Sequence, residues 1–204
     1  FLSEIGAMGG NCVRVYDLMP PEFYRALYEY NLKNPDNNIY FIQSIITPDN
    51  IVDGEALTEL SQTGLKQNIE YVVDALHGRA DVPDVGSRKG GIYIQDVSSF
   101  LLGFLIETDT DAKTVSALNR SNPGYVSNGQ YLSSSKGAAE GLIAMLCDYT
   151  YNYQQTAYGY ISPVGAEGNA ALAPSLPWSP AGGDLLDLGS LKASEATQGS
   201  FFVS

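Results

Sequence analysis

Histidine and cysteine are scarce in this chain: His77 is the only imidazole, and Cys12 and Cys147 are the only thiols, among 204 residues. A zinc site built from His and Cys by this chain alone is thereby excluded, because such sites take about four of those ligands. Two cysteines allow at most one bridge, so a disulfide framework is excluded as well. Basic charge is also short, with 11 Lys and Arg against 23 Asp and Glu, a net charge of −12. Nucleic acid and anionic membrane surfaces are bound through basic patches, and both are excluded as partners. No apolar run reaches about 18 residues, so no membrane span is expected. Neither G-x-G-x-x-G nor G-x-x-x-x-G-K-[ST] occurs, and neither a cofactor nor a metal is expected. Tryptophan appears once, at Trp178, whereas tyrosine appears 14 times and charged residues make up only 17%. That balance points to an extracytoplasmic carbohydrate-active domain, placed outside the cell or on its surface.

A chain of this length fits one domain, 1–204, with a sizeable core. It begins at Phe1 without a methionine, and no basic segment leads into an apolar one, so no signal peptide is read. The last residues, Phe201-Phe202-Val203-Ser204, read as a strand just beginning. The expectation is a piece of a longer chain.

Residues 1–9 read as a helix end, with Phe1, Leu2, Ile5 and Met8 on one face and Gly9-Gly10 as the stop. Residues 11–17 read as a short buried strand, and Pro20-Pro21 opens a helix over 22–32. Turn chemistry fills 34–38, and the continuous apolar run 39–46 reads as a strand covered on both faces. A helical stretch follows over 53–76, broken near Gly64. Residues 79–91 read as a long loop, 100–106 as a third strand, and 111–119 as a helix. A loop over 121–135 leads to a helix over 137–153. Residues 160–164 read as a fourth strand, 165–183 as a loop rich in Ala, Pro and Gly, and 200–204 as a fifth strand. Alternating strands and helices mean an α/β fold with a parallel sheet and flanking helices. Long loops carrying polar and aromatic residues after strand ends favour a (β/α)8 barrel over a doubly wound sheet. Five strands fall short of eight, which makes it a partial barrel.

Glu107 and Asp109 close the third strand and, two apart, share a face. Carboxylates at the C-terminal ends of barrel strands are where catalysis sits, and glycoside hydrolysis takes two of them. The alternative is a solvated strand end that caps the next helix through Asp109 or Asp111. Arg14 and Tyr16 share a face of the first strand. An arginine in a buried strand is costly unless a carboxylate pairs with it, either in a site or in a structural ion pair. Gln43 suits a sugar hydroxyl or a buried structural amide equally. Trp178, in Pro177-Trp178-Ser179-Pro180, suits stacking on a sugar face or plugging a barrel rim. His77 closes a helix, where a cation meets the negative end of the dipole, and is read as structural. Cys12 and Cys147 read as buried thiols.

The segment Gly9-Gly10-Asn11-Cys12-Val13-Arg14-Val15-Tyr16, followed by Pro20-Pro21-Glu22-Phe23-Tyr24, resembles the second strand of retaining glycoside hydrolases of the large (β/α)8 clan. That strand typically reads G-x-N-x-[IV]-R-[VI]-Y. The likeness extends through Tyr28-Glu29-Tyr30-Asn31 and Ile39-Tyr40-Phe41-Ile42-Gln43. Residues 101–106, 160–165 and 200–204 are similar to the clan's fourth, fifth and sixth strands. Together they resemble bacterial glycoside-hydrolase-like TIM-barrel proteins, distantly similar to β-1,3-glucanosyltransferases. The resemblance implies a partial barrel of strands two to six acting on a polysaccharide, with the remaining strands supplied by missing sequence or another chain. It implies Asp109, or else Glu107, as acid/base, with Arg14 and Tyr16 orienting a nucleophile, and Gln43 and Trp178 as sugar contacts. One departure stands out: Thr108-Asp109 occupies the place of the clan's Asn-Glu. That favours the alternative of a non-catalytic barrel for carbohydrate binding or assembly within a larger cell-envelope protein.

Retaining hydrolysis requires two carboxyls about 5–5.5 Å apart that flank the scissile bond. Glu107 and Asp109, roughly 6.6 Å apart at strand rise, approach a sugar from one side only. Residues 1–204 alone are therefore expected to leave chromogenic glycosides uncleaved. Turnover by the purified fragment that disappears in Asp109→Asn would contradict this.

Overall fold

The computed structural model describes residues 1–46, 57–85, 88–108, 112–168 and 186–203. Its helices are α1 (Leu2–Ala7), α2 (Pro21–Lys33), α3 (Glu59–Leu76), α4 (Ala112–Ser121) and α5 (Ala138–Tyr158). Its strands are β1 (Cys12–Val15), β2 (Tyr40–Ile46), β3 (Ala80–Val82), β4 (Gly91–Tyr93), β5 (Leu101–Thr108), β6 (Ser127–Asn128), β7 (Leu132–Ser134), β8 (Val164–Gly168), β9 (Lys192–Ala193) and β10 (Phe201–Val203). Five of them make a parallel sheet in the order β1-β2-β5-β8-β10, flanked by helices, as the α/β reading expects. The order follows the chain, each new strand joining on the same side as the last. No helix among the described residues is long and apolar enough to cross a membrane.

The chain divides into two compact units, Phe1–Ile45 with Asn68–Phe104, and Ile46–Gln67 with Leu105–Ser204. In the first, Gly9 turns the chain out of α1 at φ 80°, a left-handed conformation that suits a residue without Cβ. Pro21 then opens α2, where its fixed φ is an asset and its missing N–H is not needed. Tyr24, Leu27 and Asn31 fall on the buried face of α2 at spacings of three and four. Asn31 ties the helix to β2 twice, donating to the Ile39 carbonyl (2.9 Å) and accepting from the Ile39 N–H (2.8 Å). Phe41 and Ile45 of β2 are buried, as are Ile69, Val72, Val73 and Leu76 of α3.

In the second unit Leu105, Ile106, Val115, Leu118, Leu142, Ile143 and Leu146 form the apolar core. Asn119 of α4 accepts the Ala139 N–H (3.1 Å), capping α5 in place of the side chain that Gly137 lacks. The Tyr151 hydroxyl donates to the Ser200 carbonyl (2.8 Å) and accepts from the Val164 N–H (3.1 Å), so one buried side chain joins α5 to β8 and to the residue before β10.

Several boundaries depart from the sequence reading. α3 runs unbroken through Gly64, because an exposed helical glycine costs only about 1 kcal/mol and the buried stripe that follows it, from Leu65 to Leu76, outweighs it. The part of that helical stretch over 53–56 lies outside the described residues. The expected loop at 79–91 holds an antiparallel hairpin, β3 with β4, pairing Ala80 with Tyr93 and Val82 with Gly91. The loop at 121–135 likewise contains β6 and β7, which form a three-stranded antiparallel sheet with β9. Strands of two or three residues are too short to show a period-two pattern. The fourth strand begins at Val164, where it was expected to end. Gly159 closes α5 at φ 76°, and Gln154 Oε1 accepts the Ser162 N–H (2.7 Å), holding that segment to the helix. Pro163 has no N–H to give a ladder, so pairing starts one residue later. Of the loop expected over 165–183, residues 165–168 are strand and the stretch from 169 lies outside the described residues.

Asp148 of α5 anchors the small antiparallel sheet. Its Oδ1 accepts the Tyr131 N–H (2.6 Å) and the Leu132 N–H (3.1 Å). A Cβ at Gly129 would collide with this carboxylate. Hydrogen bonds to a charged group contribute about 1.5–3 kcal/mol each. Asp148→Ala is expected to lower the urea unfolding free energy by about 2–4 kcal/mol, Asp148→Asn by less than half of that, and Gly129→Ala to be destabilising as well. Unchanged denaturation midpoints would remove the anchoring role.

Candidate functional site

β1 stands at the edge of the five-stranded sheet with β2 as its neighbour, in the register Arg14 to Ile42 and Val15 to Gln43. Partners in a parallel ladder share a face, so Arg14 and Tyr16 lie with Ile42 and Ser44, while Val15 lies with Phe41, Gln43 and Ile45. The second face is buried under α2, and the first is open at β1. Arg14 is exposed, which corrects the expectation of an arginine inside a buried strand. Its Nε donates to Ser44 Oγ (3.3 Å), and its guanidinium sits 5.3 Å from the centre of the Tyr16 ring. Tyr16 is 61% exposed. Arg14 and Tyr16 are thus brought together as a cation over an aromatic face, with a phenol accessible to a ligand.

Gln43 belongs to the opposite face. It is fully buried, its Oε1 accepts from the Tyr24 hydroxyl (2.7 Å), and its Nε2 donates to the Ser44 carbonyl (2.8 Å). Of its two readings, the structural amide is the one this arrangement matches. The Tyr24 hydroxyl also accepts the Met19 N–H (3.2 Å), and burial drives its ionisation far above the ordinary tyrosine range. Ser44 went unremarked in the sequence, and Tyr24 was noted only as part of the resembling segment. The signals were present: Tyr24 lies three residues after Pro21 on the buried helix face, and Ser44 lies two residues after Ile42 on the strand.

In the second unit Glu107 is the penultimate residue of β5 and only 5% exposed. β5 is the middle strand of the five. Withdrawing a carboxylate from water is costly, and at a strand end such burial is a frequent mark of chemistry. A shielded carboxylate can donate or accept a proton, or accept a hydrogen bond from a ligand hydroxyl. Asp109 and Trp178 lie outside the described residues.

A second polar cluster sits at the start of α5. Lys136 pairs with Asp187, which holds its ammonium above the usual lysine range, and the Asp187 N–H donates to Glu140 Oε1 (3.0 Å). Among the described residues the buried Glu140 Oε2 has no hydrogen-bond partner. Among the described residues no three His, Cys, Asp or Glu side chains gather closely enough to hold a metal ion. Both cysteines are free; Cys147 is buried and its thiol is pushed up by that burial, whereas Cys12 is exposed, contrary to the reading of two buried thiols.

His77 follows the last residue of α3 and bridges antiparallel to Asp96. Burial lowers its ionisation below the ordinary 6.5, outweighing the upward pull of Asp96; Arg79 pushes further down and Asp74 up. Burial thus favours the neutral imidazole over the cation that the helix dipole would attract. The unfolded chain takes up this proton first as the pH falls, so the stability His77 contributes is present above about 6.5 and is lost as the pH falls through the lowered folded value. His77→Gln is expected to flatten the fall in urea midpoint between neutral and mildly acidic pH. Parallel curves for the two proteins would contradict the assignment.

Compared with protein-family models, with curated proteins and with solved structures, the chain matches none, and its functional reading is carried by its own residues and their placement.

Proposed function

We propose that this chain is part of a glycoside hydrolase-like or transglycosylase-like domain acting on a polysaccharide. The observation that carries the reading is Glu107, a carboxylate 5% exposed at the end of the middle strand of a parallel sheet. Two others support it. Arg14 and Tyr16 present a cation and an exposed phenol at the end of the first strand, in a segment that resembles the clan's second strand. The strand order follows the chain without reversal, as in barrel winding, whereas a doubly wound sheet reverses at a switch point. In this reading the five strands correspond to strands two to six of a (β/α)8 barrel, and the others come from sequence outside this chain or from another chain. Asp109 holds the family's acid/base position and Glu107 is its rival for that role. In this reading the protein acts outside the cell or at its surface.

The replacement of Asn-Glu by Thr108-Asp109 favours a second reading, a barrel that binds carbohydrate without cleaving it. Aspartate is one methylene shorter, and a misplacement of about 1 Å can cost on the order of 100-fold in rate.

Glycan-array binding and turnover of chromogenic glycosides by the native full-length protein test both. An acid/base residue contributes about 10²- to 10⁴-fold, so either Asp109→Asn or Glu107→Gln is expected to cut turnover by that factor while glycan binding persists. Binding without turnover selects the second reading. A full-length protein that binds no glycan would sink both.

A further inference from the structure

The β3–β4 hairpin is not part of the strand–helix alternation, and it meets α2 and one short stretch of chain before it. That stretch is Asp17 to Pro20, directly after the β1 strand end that carries Tyr16. The Tyr93 hydroxyl of β4 donates to the Met19 carbonyl (2.8 Å). The Tyr93 ring lies 5.9 Å from the Tyr24 ring, and the Tyr24 hydroxyl accepts the Met19 N–H. Both polar backbone groups of Met19 are thus held by tyrosines. Gly91 brings the β4 backbone against Pro21, where a Cβ would stand 2.8 Å from the proline ring. Arg88 donates to Asn68 Oδ1 of α3 (2.7 Å), which fixes its guanidinium 3.9 Å from Asp17 Oδ1. The same Asp17 oxygen accepts the Leu18 N–H (2.6 Å).

Arg88 is mostly buried, with 13% of its side chain exposed, so it is built into the fold. Among the described residues β1 pairs with β2 alone in the sheet, so the loop that leaves it gains little from the ladder and depends on other contacts to hold it. Two contacts from the hairpin, at Asp17 and Met19, hold the residues that follow Tyr16, and a third backs onto Pro21 at the start of α2.

We propose that Tyr93 and Arg88 are positioning residues, which act through Met19 and Asp17 to hold the β1 strand end and Tyr16 in a ligand-ready geometry. The inference rests on the carbohydrate reading above for what Tyr16 meets; the pinning itself rests on the contacts alone.

Two measurements on the native full-length protein test it. Tyr93→Phe keeps the ring and removes the hydroxyl, and Arg88→Gln keeps an amide for Asn68 and removes the charge beside Asp17. Amide exchange at Leu18 and Met19 is expected to quicken about tenfold in Tyr93→Phe, and less in Arg88→Gln, with α5 amides unchanged. Affinity for the oligosaccharide that gives the strongest array signal is expected to fall roughly three- to tenfold, the worth of one hydrogen bond. Unchanged exchange overturns the pinning. Faster exchange with unchanged affinity overturns the positioning role and leaves Tyr93 as a stabilising residue. A wild-type protein that binds no glycan removes the carbohydrate reading and this inference with it, whereas glycan binding with unaltered variants removes this inference alone.

Discussion

The Tyr24 hydroxyl is the point on which the first unit turns. It sits fully inside the protein, where an unpaired hydroxyl costs free energy, and it is used in both directions, accepting the Met19 N–H and donating to Gln43. Through it the buried face of α2 is tied to β2 on one side and to the chain leaving β1 on the other. Apolar burial alone would leave these elements able to slide, since hydrophobic contact is not directional. A hydrogen bond with a buried donor and a buried acceptor fixes one alignment. The second unit repeats the device with Tyr151, whose hydroxyl joins α5, β8 and the residue before β10. In both units a helix-borne tyrosine supplies what the sheet and its covering helix cannot specify by packing.

This arrangement divides the labour along β1 and β2. Residues facing α2 are consumed by the fold, and Gln43 with them; residues on the other face, Arg14 and Tyr16, stay accessible at the edge strand. A single step of parity along a strand therefore separates a structural amide from candidate ligand contacts. Glu107 shows the opposite economy: a group with every reason to stay in water is withdrawn from it at the end of the middle strand.

Much of the first unit was legible from residues alone. Gly9, Pro21 and the apolar run through Ile45 each carry a conformational constraint of their own, and the elements they announce are present. The face shared by Arg14 and Tyr16 follows from alternation, which holds wherever the strand is placed. Their exposure does not, because it depends on which strand borders the sheet. The same limit explains Cys12, an apolar-looking strand residue that turns out exposed. Gln43 was undecided for want of a partner; Tyr24 lies 19 residues away, and no spacing rule links a helix residue to a strand residue at that separation. The short strands β3, β4, β6, β7 and β9 carry no period of their own and exist because neighbours pair with them.

The α/β class, the parallel strands and the alternating elements were determined by the sequence, because they arise from local propensity and from a hydrophobic period visible within a single segment. Tertiary structure alone decided where β8 begins, that a hairpin bonds to the chain leaving β1, that Glu107 is buried while Arg14 is exposed, and that burial disfavours the His77 cation. Each of these depends on which groups from distant parts of the chain exclude water from a given atom, and solvent exclusion is a property of the packed fold that no local stretch of residues contains.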